Sequence, residues 1–154
     1  MTYDELLLEA DKNNLIVREK PLTDSDGRIK GRRVAIRRDI PSVRGKSCAL
    51  AEELGHHHVN YGDIIDQDTI LKRKQEYKAR LWGYNTQVGL IGLAKAFESG
   101  CRNLYEAAEC LDVPEDYLDE VLSCYRNKFG RCTTIDNYVI YFEPTLIVVR
   151  IDMN

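Results

Sequence analysis

Glu52, Glu53 and His56 have the types and spacing of a zinc-peptidase helix in which one metal ligand is exchanged. In the His-Glu-x-x-His signature, two histidines four residues apart bind the metal, and the glutamate beside the first activates a water molecule. Here Glu52 stands in the first ligand position, and the stretch Glu53-Leu54-Gly55-His56 matches the rest. Because residues four apart on a helix differ by about 40° around its axis, Glu52 and His56 can reach one ion.

A third ligand is needed to leave one coordination position of zinc free for water. The best candidate is Glu76, on the next predicted helix, whereas Asp63 and Asp66 are nearer in sequence but less well placed. Zinc accepts carboxylate oxygen as well as imidazole nitrogen. Glu53 is then predicted to be the general base, which takes a proton from the attacking water and delivers it to the leaving amine.

The carboxylate of Glu52 changes the expected chemistry of the metal. Two anionic ligands lower the net charge of the ion, so it acidifies water less and is a weaker Lewis acid than in a site with two histidines. The sequence therefore predicts weaker zinc binding, slower hydrolysis, a different metal or no metal.

The elements that must position these residues can be predicted from the pattern of apolar residues. A short helix over 4–12 precedes strands at 15–19, 28–30 and 33–37, which predict a small, mainly antiparallel sheet. Pro41 suits the start of a helix that runs to about Val59 and carries the glutamate-histidine motif. The remaining predicted helices cover 68–84, 88–97, 104–111 and 117–125, and the remaining strands 132–135, 138–142 and 146–151.

These elements predict an α+β fold in a single domain that spans residues 1–154. Within it we expect a peptidase-like core at 1–85, a helical segment at 86–130 with helix-turn-helix-like spacing, and a C-terminal β-hairpin with a further strand at 131–154. The chain has 154 residues, of which 44% are hydrophobic and 31% charged, which is ordinary for a globular domain.

Composition also predicts the compartment. The five cysteines form no Cys-x-x-Cys pair, the first residues are acidic rather than basic, and no apolar run approaches the length of a membrane span. We therefore expect a reduced, cytoplasmic protein with no membrane association. The sequence does not predict the oligomeric state.

Four features in order resemble the ImmA/IrrE family of metallopeptidases, which is associated with phages and mobile elements. They are the basic strand at 31–38, the helix with Glu52, Glu53 and His56, a helix with the pattern Glu76-x-x-Ala79, and the helix-turn-helix-like segment with its closing hairpin. The resemblance implies a minimal zincin-like core, with His56 and Glu76 as metal ligands and Glu53 as catalytic base. Glu52 stands where the family has its first histidine.

The resemblance also implies a partner and a function. Such proteases cut a cytoplasmic helix-turn-helix repressor and so derepress prophage or mobile-element genes. The alternative is a catalytically impaired relative that binds the repressor without cutting it and acts as a non-proteolytic anti-repressor. If activity is retained, the substrate is expected to add as a strand to the edge formed by 33–37, which should border the cleft as in other zincins.

Nucleic-acid binding is not expected from the charges. The formal net charge is -3, and the helix-turn-helix-like segment carries acidic side chains that repel phosphate. The only basic run lies at 28–38, and because strand residues alternate between faces, a solvated surface is its default interpretation.

Overall fold

The computed structural model of the protein describes residues 1–59 and 69–152. These residues form six helices and two three-stranded sheets, which confirms the α+β class. The zincin-like character of the front and the helix-turn-helix-like character of the rear stay predictions. The helices are α1 (Tyr3–Lys12), α2 (Val43–Val59), α3 (Thr69–Gln87), α4 (Gly89–Glu98), α5 (Leu104–Leu111) and α6 (Glu115–Phe129), and the strands are β1 (Ile16–Lys20), β2 (Gly27–Lys30), β3 (Arg33–Arg37), β4 (Cys132–Ile135), β5 (Tyr138–Tyr141) and β6 (Ile147–Arg150).

Contacts between residues divide the chain into two compact units, Met1–Gln87 and Val88–Asn154. The first unit contains α1 to α3 and the sheet β1 to β3, and the second contains α4 to α6 and the sheet β4 to β6. The predicted organisation as a single domain stays a prediction.

The sheet of the first unit is mixed rather than mainly antiparallel. Its strand order is β1-β3-β2, with β1 parallel and β2 antiparallel to β3. Alternating hydrophobicity identifies strands but is the same for both pairing directions, so the sequence did not reveal the parallel pair. The prediction that a substrate strand adds to the edge formed by 33–37 is wrong, because β3 is the central strand and is paired on both sides. The edges of the sheet are β1 and β2.

One face of this sheet packs on the helices. Val34 and Ile36 of β3 are buried, and they join Leu6 of α1 and Leu50 and Leu54 of α2 in one apolar core. The alternate strand residues face away from this core, as the period of two requires. The amphipathic pattern of the short N-terminal helix is thus explained by its packing on α2 and the sheet.

Local signals account for where the helices of the first unit begin. The hydroxyl of Thr2 accepts a hydrogen bond from the backbone N–H of Glu5, whose carboxylate accepts one from the N–H of Thr2, forming a capping box. The hydroxyl of Ser42 accepts a hydrogen bond from the N–H of Gly45, which satisfies a free donor at the start of α2.

The second unit pairs three helices with a three-stranded antiparallel sheet. The sheet has the order β4-β5-β6, and the two-residue turn at Asp136 and Asn137 joins β4 to β5 as predicted. Tyr125 of α6 and Phe142 are buried in this unit, with ring centroids 6.3 Å apart. Glu98 of α4 accepts hydrogen bonds from the hydroxyl of Tyr138 and the guanidinium of Arg150, which links α4 to the sheet.

Within residues 1–59 and 69–152, every helix is too short or too polar to traverse a lipid bilayer.

Candidate metal centre

The contact between α2 and α3 is built from small residues. A Cβ atom added to Gly55 of α2 would lie 2.3 Å from the carbonyl oxygen of Ala79 in α3. A Cβ atom added to Gly83 of α3 would lie 3.3 Å from the backbone nitrogen of Glu52. The two backbones therefore touch at both places, and this close approach brings side chains of one helix within reach of the other.

The three predicted ligands converge on this contact. Donor atoms of Glu52, His56 and Glu76 all lie within 4.8 Å of one another. His56 Nε2 lies 3.4 Å from Glu76 Oε2, and the side chains of His56 and Glu76 are 12% and 43% exposed. One imidazole nitrogen and two carboxylate oxygens at such separations can surround a single divalent cation while solvent still reaches it.

The alternative third ligands Asp63 and Asp66 lie outside the described residues. Among the residues that are described, Glu52, His56 and Glu76 are the only group with this convergence. The histidines that follow His56 do not belong to it. His58 stacks on Trp82 with ring centroids 4.7 Å apart.

Glu53 is buried beside this group with only 7% of its surface exposed. Burial, followed by the carboxylates of Glu52 and Glu76, raises the pKa of Glu53 to about 7. Desolvation and neighbouring negative charge both disfavour the ionised form. A carboxylate whose pKa lies near neutrality is suited to exchange a proton with water or with a leaving group.

The first residue of β2 completes the surroundings of Glu53. A Cβ atom added to Gly27 would lie 2.8 Å from Glu53 Cγ and 2.9 Å from Glu53 Oε1. A side chain at position 27 would therefore displace the carboxylate of Glu53 from this place. The residues next to Gly27 in the sequence give no sign of this distant contact with α2.

The donor set fits a divalent metal ion. Three carboxylates and one imidazole lie close together, and a cation among them would offset the mutual repulsion that, after burial, raises the pKa of Glu53. Imidazole and carboxylate ligands are compatible with zinc. Glu52 and Glu76 would each contribute an oxygen and His56 a nitrogen.

Compared with family models, curated proteins and solved structures, the chain matches none. The metal chemistry of the site is therefore inferred from the chain's own residues.

Proposed function

We propose that this chain is a zinc-dependent endopeptidase of limited specificity that cuts a helix-turn-helix repressor. The observation that carries the proposal is the convergence of Glu52, His56 and Glu76 within 4.8 Å, with buried Glu53 next to them. The identity of the substrate rests only on the resemblance of the sequence to the ImmA/IrrE metallopeptidases.

In this proposal Glu52 and His56 from α2 and Glu76 from α3 would hold the metal. A zinc ion bound there supplies Lewis acidity for the attack of water on a peptide carbonyl. Glu53 accepts the proton of the attacking water and later donates it to the amine of the leaving peptide. Its pKa near 7 in the metal-free protein supports this exchange, since neither protonation state is strongly disfavoured at neutral pH.

The strand β2 is the sheet edge that fits an extended substrate. It lies at the margin of the sheet, and its first residue, Gly27, approaches the carboxylate of Glu53. A peptide that added beside β2 through backbone hydrogen bonds would bring a peptide bond towards that carboxylate. This assignment replaces β3, which has no free edge.

A metal titration and a cleavage assay together test the proposal. Zinc chloride added to the EDTA-treated protein is expected to bind at one ion per chain, and His56→Gln is expected to abolish this binding. A phage-type helix-turn-helix repressor incubated with the zinc-loaded protein should yield two fragments by intact mass, and Glu53→Gln should prevent this. Asp119→Asn, which changes an exposed acid of α6, is the matched control. Absence of stoichiometric zinc together with no effect of Glu53→Gln would exclude the peptidase.

A second function is favoured by a specific contact. Because His56 Nε2 already meets Glu76 Oε2 at 3.4 Å, the two groups can satisfy each other without an ion. With Glu52 as a weaker ligand than histidine, the fold would then serve as a non-proteolytic anti-repressor that masks its partner. Co-purification with an intact repressor, unaffected by EDTA or by Glu53→Gln, would support this function, whereas cleavage would exclude it.

A further inference from the structure

The outer face of the sheet β1-β3-β2 is strongly basic. Val34 and Ile36 face the core, so the alternate residues of β3 face outwards, and the pairing register aligns them with the outward residues of the neighbouring strands. Five exposed cations share this outer face, which we call the basic face: Arg18, Lys20, Arg28, Lys30 and Arg33.

The register arranges four of these cations around a small central residue. Arg18 of β1 and Arg28 of β2 both pair with Ala35 of β3, so they stand on either side of its methyl group. In the adjacent row, Arg33 stands between Ile16 and Lys30. The short side chain of Ala35 and the long cationic side chains on both sides of it form an open groove of about 430 Å³.

The acidic residues near the sheet that form ion pairs do so with cations other than these five. Asp26 and Asp39 both form ion pairs with Arg37, at 3.1 Å and 3.2 Å. Glu19 alternates to the inner face, where Lys46 lies 2.7 Å from its carboxylate. In the part of the chain that the structure describes, none of the five cations of the basic face forms a salt bridge.

The arrangement of cations on the basic face destabilises the folded protein when no ligand is bound. Lys30 and Arg33 are direct cross-strand partners, and like charges placed opposite each other destabilise a sheet. An anionic partner bound across the face would relieve this repulsion. A chain with a net charge of -3 that gathers five cations on one small surface is suited to a local anionic ligand.

We infer that the basic face binds the phosphate backbone of single-stranded nucleic acid without preference for base sequence. Successive outward residues on one strand are spaced by roughly 6.6 Å, a regular repeat that suits a chain with one phosphate per nucleotide. Three of the five cations are arginines, whose planar guanidinium groups bind phosphate oxygens in pairs. The five cations and the lining of the groove include no aromatic residue for stacking on bases, so the contacts are with the backbone.

Single strands are favoured over duplexes by the size of the face. Its outer strands are separated by about 10 Å, twice the usual distance between neighbouring strands, which accommodates one extended chain. This inference is independent of the metal site, which lies on α2 and α3. The net charge of the chain did not predict nucleic-acid binding. The pairing register of the strands nevertheless places these five cations on one face of the sheet.

Fluorescence anisotropy with a labelled 15-nucleotide oligothymidine, in EDTA, tests the inference. If all five cations engage phosphates, affinity should fall roughly 100-fold between 50 and 200 mM salt, because each neutralised phosphate releases a counterion. The triple variant Arg18→Gln, Arg28→Gln and Arg33→Gln should lose at least tenfold in affinity at 50 mM salt.

The matched control is Lys95→Gln, Arg126→Gln and Lys128→Gln, which removes three exposed cations of the second unit. Both triple variants change the formal net charge from -3 to -6, since three positive charges are lost in each. The control should bind like the unmodified protein. Equal losses in the two variants, no binding by either protein, or tighter binding to poly-glutamate or to duplex DNA than to the oligothymidine would each overturn the inference. Thermal unfolding of both variants identifies any loss that is due to misfolding.

Discussion

Glu52 is the residue whose chemistry most affects the proposed metal site. A carboxylate in this position weakens the Lewis acidity of the ion, whereas imidazole is neutral and leaves the full metal charge available. The structure places Glu52 one helical turn before His56 and within 4.8 Å of the other two donors, so the position itself is suited to a ligand.

Glu52→His is therefore expected to strengthen zinc binding by about tenfold or more and to increase any cleavage rate. The variant restores the complete His-Glu-x-x-His signature on α2. Competition with a chromogenic zinc chelator measures the affinity, and Glu52→Gln, which offers a neutral and weaker ligand, should reduce it. If Glu52→His and Glu52→Gln bind zinc equally well, position 52 is not a ligand.

The raised pKa of Glu53 predicts a dependence of stability on pH in the metal-free protein. The folded state retains a proton on Glu53 up to about pH 7, whereas the unfolded chain releases it near the ordinary value of 4.5. The folded state thus binds more protons between these values, and its stability falls as pH rises from 4.5 to 7. A shift of this size corresponds to about 3 kcal/mol.

Glu53→Gln should remove this pH dependence. The variant should unfold at higher urea concentration than the unmodified protein at pH 8 in EDTA, while the two should be similar at pH 4. A variant that is more stable but no longer hydrolyses its substrate is expected when a functional group destabilises the folded state. A variant that is less stable at pH 8 would show that Glu53 is instead a structural residue with favourable partners.

At the scale of elements, the contact between α2 and α3 decides whether the ligands meet. Gly55 has no room for a Cβ atom, since one would lie 2.3 Å from the backbone oxygen of Ala79. Gly83 has more room, with its nearest neighbour at 3.3 Å. The two glycines therefore form a matched pair for testing the interface.

Gly55→Ala should destabilise the protein by about 1–3 kcal/mol and weaken zinc binding, because the helices must separate. Gly83→Ala should be close to neutral, since the small steric cost is offset by the better helix propensity of alanine, about 1 kcal/mol. Urea unfolding and zinc titration measure both effects. Equal behaviour of the two variants would show that the close approach at Gly55 does not hold the site together.

Gly27 provides the corresponding test for the contact between β2 and α2. Gly27→Ala should displace the carboxylate of Glu53, because the added methyl group would lie 2.8 Å from Glu53 Cγ. We expect hydrolysis to fall by at least tenfold while zinc affinity changes little, since Glu53 is not a proposed ligand. Loss of zinc binding in this variant would indicate that β2 supports the ligands rather than the base.

At the scale of the whole molecule, metal binding should affect one unit more than the other. All proposed ligands belong to Met1–Gln87, and the unit Val88–Asn154 contributes none of them. Zinc at 100 times its dissociation constant stabilises the state that binds it by about 2.7 kcal/mol. The melting temperature of the first unit should therefore rise by at least about 5 °C.

Hydrogen exchange followed by mass spectrometry locates this effect. Amides of α2 and α3 should exchange more slowly with zinc, amides of α5 and α6 should be unchanged, and EDTA should reverse the difference. Uniform protection of both units would contradict a site confined to the first unit.

The sequence alone determined the elements and the local chemistry. Periodic apolar residues located the helices and strands to within a few residues, because burial on one face imposes a period of 3.6 or 2. The spacing of Glu52, Glu53 and His56 required no tertiary information, because residues four apart share a helix face. The capping box at Thr2 and the turn at Asp136 are likewise local.

Only the tertiary structure decided how distant segments meet. The parallel pairing of β1 with β3, the approach of Gly27 to Glu53 and the convergence of Glu76 on His56 all join segments that are far apart in sequence. Such contacts depend on which backbones can touch, and the contacts of α2 with β2 and α3 depend on Gly27, Gly55 and Gly83, whose sequence neighbours give no sign of the partner. The same is true of the basic face, because a cation's position in the sequence does not say which cations on other strands will stand beside it.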